Sequence, residues 1–202
     1  IFVDCGSNSK DIINFLKKKN IKILIIDHHH IINKLESDLN IINPMKKTKD
    51  YTKQNICAAA LTFYLINLIN KKLKKKINTY DFLFLALLGT ICDVMPLRNS
   101  NKQLSKIALN RLNKIQNHGI KQLLNFLSLK RSVNFTDISY TIGPMLNSPG
   151  RIKNANLSVE LLCSKNLSRI NKIIEEIKFL NIKRKKIEKS CIKLINLKKY
   201  EN

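Results

Sequence analysis

The tripeptide Asp27-His28-His29 places a carboxylate and two imidazoles directly after the apolar run at residues 21–26. That run is short and rich in β-branched residues, which is typical of a strand buried on both faces of a parallel sheet. Ligands of such sheets bind beyond the carboxyl ends of the strands. The pattern therefore indicates a catalytic site for a divalent metal ion, whereas the third histidine, His30, gives no comparable indication.

A further carboxylate follows another apolar segment at the start of the chain. Residues 1–3 run into Asp4, and residues 10–19 carry apolar side chains at the spacing of an amphipathic helix. Strand, helix and strand make a βαβ unit, whose right-handed crossover places parallel strands side by side. We therefore expect Asp4 to emerge at the same edge of the sheet as His28.

A third carboxylate, Asp93, lies between apolar residues just before Pro96, which would end any helix. An aspartate in such a setting is costly unless it is paired or coordinates a metal. Asp4, His28 and Asp93 are therefore the predicted ligand set, and the lack of thiolates favours Mn²⁺ or Mg²⁺ over structural zinc. Taken singly, Asp4 and Asp93 could instead be helix caps, and His28 a surface residue.

The composition is strongly basic and fits one domain with a sizeable core, alone or with a helical extension. The 202 residues include 37 Lys and Arg against 14 Asp and Glu, a formal net charge of +23. This charge favours nucleic acid as a partner; the alternative is a codon bias that also enriches Ile and Asn. Five scattered cysteines without a CxxC pair indicate reduced thiols in a cytoplasmic compartment. No run is long enough to span a bilayer.

The remaining pattern predicts one more strand and then mainly helices. Residues 39–42 indicate the strand, residues 46–55 a polar surface loop, and the β-branched residues in 133–142 favour a strand. Residues 167–197 contain neither Gly nor Pro and predict one long basic helix. Shorter helices are predicted at 56–69, 81–88, 104–115, 119–127 and 154–163.

Five short motifs occur in order along the chain: Asp4-Cys5-Gly6, Asp27-His28-His29, Asn43-Pro44, GTICDVMPL at 89–97 and GPMLNSPGR at 143–151. A DHH triplet alone would be common by chance, but the ordered set resembles the RecJ branch of the DHH phosphoesterase superfamily over almost the whole chain. The resemblance implies an α/β fold, with a parallel sheet flanked by helices, then a mainly helical region and a long C-terminal connector helix.

The resemblance also implies a division of the chain into three segments. These are a DHH catalytic core at 1–97, a helical remainder of the catalytic domain with the LN-x-x-GR motif at 98–164, and the long basic connector helix at 165–202. The family's first motif, an aspartate pair, is expected upstream of Asp4, and its C-terminal nucleic-acid-binding domain beyond Asn202. The chain is therefore expected to be the middle of a longer enzyme and to be inactive by itself.

Residue roles follow from the same resemblance. The residues implied to coordinate a two-ion Mn²⁺ or Mg²⁺ centre are Asp4, His28 and Asp93. Asp27 would support the histidines in catalysis, and His29 would face the scissile phosphate and bind substrate.

The resemblance places the substrate contacts in the GPMLNSPGR motif. Arg151 would hold substrate phosphate during catalysis, and Asn147 would bind substrate beside it. Met145 stands where the family usually has arginine, and Ser148-Pro149 where it usually has two alanines. One phosphate contact of the family is therefore expected to be altered.

The function implied is a metal-dependent 5′→3′ exonuclease that degrades single-stranded DNA by phosphodiester hydrolysis, in DNA repair and recombination. Two ions about 3.5–4 Å apart would activate water and stabilise the attacking and leaving oxygens. The implied protein is a cytoplasmic monomer without membrane contact, with single-strand DNA-binding protein as a candidate partner. The alternative is a catalytically degenerate DHH-like scaffold that binds nucleic acid or replication proteins. Retention of the metal-ligand set favours the enzyme.

Overall fold

A computed structural model describes residues 1–32, 39–46, 55–74, 77–128 and 132–198 of the chain. The chain divides into two compact units, Ile1–Lys114 and Ile115–Asn202. Most of the loop predicted at 46–55 lies outside the described residues. The predicted three-segment division of the chain stays a prediction.

The first unit contains a three-stranded parallel sheet. Its strands are β1 (Phe2–Val3), β2 (Leu24–Ile26) and β3 (Asn40–Ile42), in the order β1-β2-β3. The last residues of the strands are paired in register, Val3 with Ile26 and Ile26 with Ile42. The residues that follow the strands are therefore brought to one edge of the sheet, as the predicted α/β fold requires.

Helix α1 (Lys10–Lys18) connects β1 to β2 and covers the sheet through Ile13, which packs with Ile25 in a buried cluster. The turn between β1 and α1 depends on Gly6, whose φ is +108°. A Cβ at this position would lie 3.1 Å from the Cβ of Phe2, so a side chain would be both strained and crowded. Gly6 therefore lets the chain turn closely over β1.

Helices α2 (Ala58–Lys72), α3 (Tyr80–Cys92) and α4 (Asn99–Asn110) complete the first unit, with a short 3₁₀ turn at Leu112–Lys114. Helix α3 is the most buried of them, and Phe84, Ala86 and Leu87 are almost inaccessible. A Cβ at Gly89 would lie 2.6 Å from the Cβ of Ala59. The absence of a side chain at Gly89 therefore allows α3 to pack directly against α2, and α3 ends at the predicted ligand Asp93.

The second unit is helical. Helix α9 (Leu167–Lys198) runs for 32 residues, so the predicted long helix is confirmed. Its first half is buried through Ile170, Ile173, Ile174 and Ile177, and it packs with α5 (His118–Leu127), α7 (Gly143–Ile152) and α8 (Asn156–Cys163). None of the helices in the described parts of the chain is both long and apolar enough to cross a membrane. The second unit also contains the short helix α6 (Phe135–Asp137).

The strand predicted within residues 133–142 is wrong. The segment forms α6 and then a π-helical turn, Ile138–Ile142, that leads into α7. Asn134 begins the helix through a capping box: its Oδ1 accepts from the N–H of Asp137 (3.1 Å), and its own N–H donates to Asp137 Oδ2 (2.9 Å). Two backbone donors are thereby satisfied at the helix start, which outweighs the weak strand preference of the β-branched residues.

Candidate metal centre

Asp27 is the buried organiser of the site, with 1% of its surface exposed. It follows β2, and its backbone N–H donates to the carbonyl of Ile42 in the neighbouring strand (3.0 Å). Its Oδ2 accepts from the N–H of Ser7 (3.0 Å), and its Oδ1 accepts from the N–H groups of His28 (2.8 Å) and His29 (3.2 Å). One carboxylate therefore fixes the loop after β1 and the two histidines after β2.

These hydrogen bonds also determine the charge of Asp27. Burial by itself would raise the pKa of this carboxyl, but the hydrogen bonds from His29 and Ser7 hold the pKa well below its usual range. Nδ1 of His29 lies 2.7 Å from Asp27 Oδ1. Because an ionised carboxylate only accepts, His29 Nδ1 carries the hydrogen and Nε2 is left for a substrate or a metal. The same hydrogen bond raises the pKa of His29.

His28 joins the two other predicted ligands. Its Nε2 lies 3.0 Å from Oδ1 of Asp4 and 3.8 Å from Oδ2 of Asp93. Asp4 directly follows β1 with a φ of +64°, and its N–H donates to the carbonyl of Ile26 (2.9 Å). The structure thus brings together the predicted ligand set at the carboxyl edge of the sheet.

Asp93 reaches the site from the end of helix α3. Its N–H donates to the carbonyl of Gly89 (2.9 Å), and the following residue, Val94, has a φ of +54° that a β-branched side chain rarely adopts. Burial raises the pKa of the Asp93 carboxyl, and the nearby carboxylate of Asp4 raises it further, whereas His28 lowers it. The two carboxylates therefore repel each other, and a cation bound between them would relieve that repulsion.

The distances suit a divalent ion. Two ligand atoms that bind one ion at about 2.1 Å are separated by about 3.0 Å at a right angle and by about 4.2 Å when opposite. The separations of 3.0 and 3.8 Å around His28 Nε2 lie within this range. The donor atoms of Asp4, His28 and His29 all lie within 4.8 Å of one another. Carboxylate oxygen mixed with imidazole nitrogen fits Mn²⁺ or Mg²⁺.

Two residues that support the site were not assigned a role from the sequence, Ser7 and Asn43. Asn43 follows β3, is 8% exposed, and donates through Nδ2 to Ser7 Oγ (2.9 Å) and to the carbonyl of His29 (3.0 Å). Its Oδ1 accepts from the N–H of Met45 (2.7 Å). Asn43 therefore connects the loops that follow all three strands. Its position directly after the third predicted strand was the sequence feature that could have indicated this role.

A mostly apolar cavity of about 260 Å³ opens beside the histidines. His28, His29 and His30 form one side of it, so His30 contributes to the site although no role was predicted for it. Met45 and Met95 contribute apolar surface to the other walls. The cavity leaves room for a ligand beside the metal-binding side chains.

The remaining predicted site residues lie in the second unit. Asn147 and Arg151 are both on helix α7, and Arg151 is exposed in its last turn. Met145 and Ser148 of the same motif are buried, and Ser148 Oγ donates to the carbonyl of Met145 (2.8 Å). The buried positions fix the helix, while Arg151 is accessible to a ligand. The predicted roles of Asn147 and Arg151 stay predictions.

Residues 1–90 match the DHH family, N-terminal domain. The match covers the three-stranded sheet, α1, α2 and most of α3. The chain is 29% identical over 206 residues to the single-stranded-DNA-specific exonuclease RecJ of Haemophilus influenzae, a match that covers 92% of the chain and 34% of that protein. It is 28% identical over 200 residues to the RecJ of Salmonella typhimurium, covering 93% of the chain and 35% of the relative. The chain thus spans about a third of the length of these curated relatives.

A solved structure shows the same fold over residues 1–90 and the helices that follow them. The crystal structure of RecJ in complex with Mn²⁺ from Thermus thermophilus matches with a TM-score of 0.84 and 24% identity, over 95% of this chain and 28% of that chain. The parallel sheet, the flanking helices and the long C-terminal helix are therefore those of a RecJ-like DHH fold. The family resemblance seen in the motifs is confirmed.

Proposed function

We propose that the chain is the catalytic part of a metal-dependent exonuclease that degrades single-stranded DNA by phosphodiester hydrolysis. The observation that carries the proposal is the convergence of Asp4, His28 and Asp93 at the carboxyl edge of a DHH-family sheet. The relatives named above are single-stranded-DNA-specific exonucleases. The net charge of +23 suits a polyanionic substrate.

The proposed cofactor is Mn²⁺ or Mg²⁺, since RecJ structures are described in complex with each of these ions. Asp4, His28 and Asp93 would hold the ion, which when bound supplies an activated water and stabilises charge on the phosphate oxygens. Asp27 keeps His29 oriented through its Oδ1 and raises the pKa of His29, and the imidazolium form that this contact favours would donate from Nε2 to a phosphate oxygen. Removal of water from around these groups is favoured by the apolar walls of the adjoining cavity.

The finer features of the activity are also proposals. Arg151 and Asn147 would bind substrate phosphate, because the GPMLNSPGR motif resembles the phosphate-binding motif of the family. Cleavage would proceed 5′→3′, in cytoplasmic DNA repair and recombination, with single-strand DNA-binding protein as a candidate partner. The five cysteines are all free, which suits a reducing compartment.

The proposal is tested by digestion of 5′-labelled single-stranded DNA with the full-length protein in Mn²⁺, beside Asp93→Ala and an EDTA control. We expect labelled mononucleotide from the wild type only, because Asp93→Ala removes a ligand from the metal centre. Asp11→Ala is a matched control, since Asp11 is an exposed aspartate of α1.

Two results would contradict the proposal. Undiminished cleavage by Asp93→Ala would remove Asp93 from the ligand set. Binding of DNA by the wild type without cleavage in Mn²⁺ or Mg²⁺ would favour the scaffold interpretation. A 3′-labelled substrate run in parallel tests the proposed direction, because 5′→3′ digestion releases that label last.

A further inference from the structure

A second cavity of the first unit has two lining residues in common with the cavity beside the histidines. It has a volume of about 320 Å³, and Asn55 and Ile56 line both this cavity and the one beside the histidines. Its lining also includes Pro96, Arg98 and the start of helix α4. A ligand that extends from the first cavity along Asn55 and Ile56 would reach the second.

The chemistry of the cavity favours an anion. Arg98 is the N-cap residue of α4, is exposed, and lines the cavity together with Asn99 and Ser100 in the first turn. The start of this 12-residue helix presents backbone N–H groups and the positive end of the helix dipole. A guanidinium next to a helix N-terminus is a suitable setting for a phosphate group.

Asn101 provides an independent indication that a ligand is bound here. It is 4% exposed and lines the cavity, and its Nδ2 donates to the carbonyls of Asn55 (2.7 Å) and Pro96 (3.0 Å). Those two bonds fix the amide orientation and hold the two walls of the cavity together. Its Oδ1 is buried and has no hydrogen-bond partner among the described residues. Buried acceptors without a partner are rare in folded proteins, so a water or a ligand at this wall of the cavity is the expected donor.

We propose that this cavity is a second nucleotide subsite, in which Arg98 and the N-terminus of α4 bind the phosphate next to the scissile one. Asn101 is the positioning residue that holds the walls. The proposal rests on the proposed function, since it takes the substrate to be a nucleic-acid strand. A strand with one phosphate at the metal centre has its next phosphate available to the adjoining cavity, because the two cavities share Asn55 and Ile56.

The test compares Arg98→Ala with Arg111→Ala in the full-length protein. Arg111 is an exposed arginine at the opposite end of the same helix, so both variants remove one positive charge from α4. The readout is the ratio of kcat/KM for the trinucleotide dTpdTpdT to that for the dinucleotide dTpdT, which lacks a second phosphate. Arg98→Ala is expected to lower this ratio about tenfold, the effect of one charged hydrogen bond. Arg111→Ala is expected to keep the wild-type ratio, and Arg98→Lys to restore part of it.

A binding measurement provides a second readout. The affinity for oligo(dT) is measured in EDTA at several salt concentrations for the wild type, Arg98→Ala and Arg111→Ala. Arg98→Ala is expected to reduce the slope of log K against log salt by about 0.7, because one phosphate contact is lost. A slope and a trinucleotide ratio equal to those of Arg111→Ala, in a wild type that cleaves DNA, would overturn the subsite and leave the proposed function intact. A wild type that neither binds nor cleaves single strands would overturn the proposed function, and the subsite with it.

Discussion

Replacement of Asp27 by asparagine tests whether this residue organises the site. Aspartate and asparagine have nearly the same shape, so the change removes charge and one acceptor without creating a cavity. If the amide oxygen takes the place of Oδ1, the bonds from His28 and His29 remain, but the NH₂ group faces the N–H of Ser7 at the present 3.0 Å. If the amide is reversed, the bonds at Oδ1 are lost instead.

The first orientation loses fewer hydrogen bonds, and it is sufficient to estimate how far the free energy of unfolding falls. Ser7 is 2% exposed, so its N–H cannot turn to water. A buried donor without a partner costs about 1–3 kcal/mol, and loss of the carboxylate charge weakens the His29 bond by roughly another 1 kcal/mol. We therefore expect Asp27→Asn to lower the local free energy of unfolding by about 2–4 kcal/mol.

The assay is amide hydrogen exchange by mass spectrometry on the full-length protein in EDTA, so that a change in metal binding does not contribute. Peptides that contain β2 and β3 report the local free energy of opening. Asp11→Asn is the matched control, because Asp11 is exposed in the first turn of α1 and its loss affects only the helix dipole, by about 0.3–1 kcal/mol. Equal protection of β2 in wild type and Asp27→Asn would refute the organising role.

The effect of Asp27→Asn is expected to depend on pH. The pKa of Asp27 in the folded protein lies below its ordinary value of 3.8, so the stability that the carboxylate contributes is present above pH 3.8 and is lost as the pH falls below it. The pKa of His29 lies above its ordinary value of 6.5, so the contribution of its charge is present below pH 6.5 and is lost as the pH rises through the folded pKa. The difference between the two proteins is therefore largest between about pH 5 and 6.5.

Two further predictions concern the second unit. Gly119→Ala would place a Cβ in steric overlap with the carbonyl oxygen of Leu161, so α5 and α8 must separate. We expect the free energy of unfolding to fall by about 1–3 kcal/mol, measured by urea unfolding followed by circular dichroism. An unchanged midpoint would contradict this packing. Ile173→Ala, at 0% exposure in α9, is expected to cost about 2–5 kcal/mol. Ile192→Ala, at 53% exposure in the same helix, should cost less than about 0.5 kcal/mol, and similar values for the two would show that the first half of α9 is not buried as described.

The strands were predictable because each ends where the sequence changes from apolar to polar or turn-forming residues. Apolar residues change to a carboxylate after β1 and β2, and β3 ends at Asn43-Pro44. The parallel pairing of Val3 with Ile26 and of Ile26 with Ile42 then brings these ends together. A local pattern was sufficient here because strand ends and turn residues are local properties.

Contacts between distant residues were not predictable in the same way. Ser7 contacts Asp27 across 20 positions, and Asn43 contacts Ser7 across 36. A serine or an asparagine in a loop has no sequence feature that names its partner, so these positioning residues were missed. The strand favoured near Asn134 was wrong for a related reason, since its β-branched residues were given more weight than the reciprocal cap to Asp137.

Burial divides the site into two kinds of residue. Asp27 and Asn43, which position other groups, are 1% and 8% exposed, and each side chain makes several hydrogen bonds to the surrounding loops. The side chains of Asp4 and Asp93 are 59% and 40% exposed, although they lie beside His28. A side chain that binds the metal must remain accessible, so that ions can exchange and substrate can bind. A side chain that orients other groups is effective only when it is held in a single conformation. Substitution of Asp27 should therefore reduce both stability and metal affinity, and substitution of Asp93 should reduce metal affinity alone.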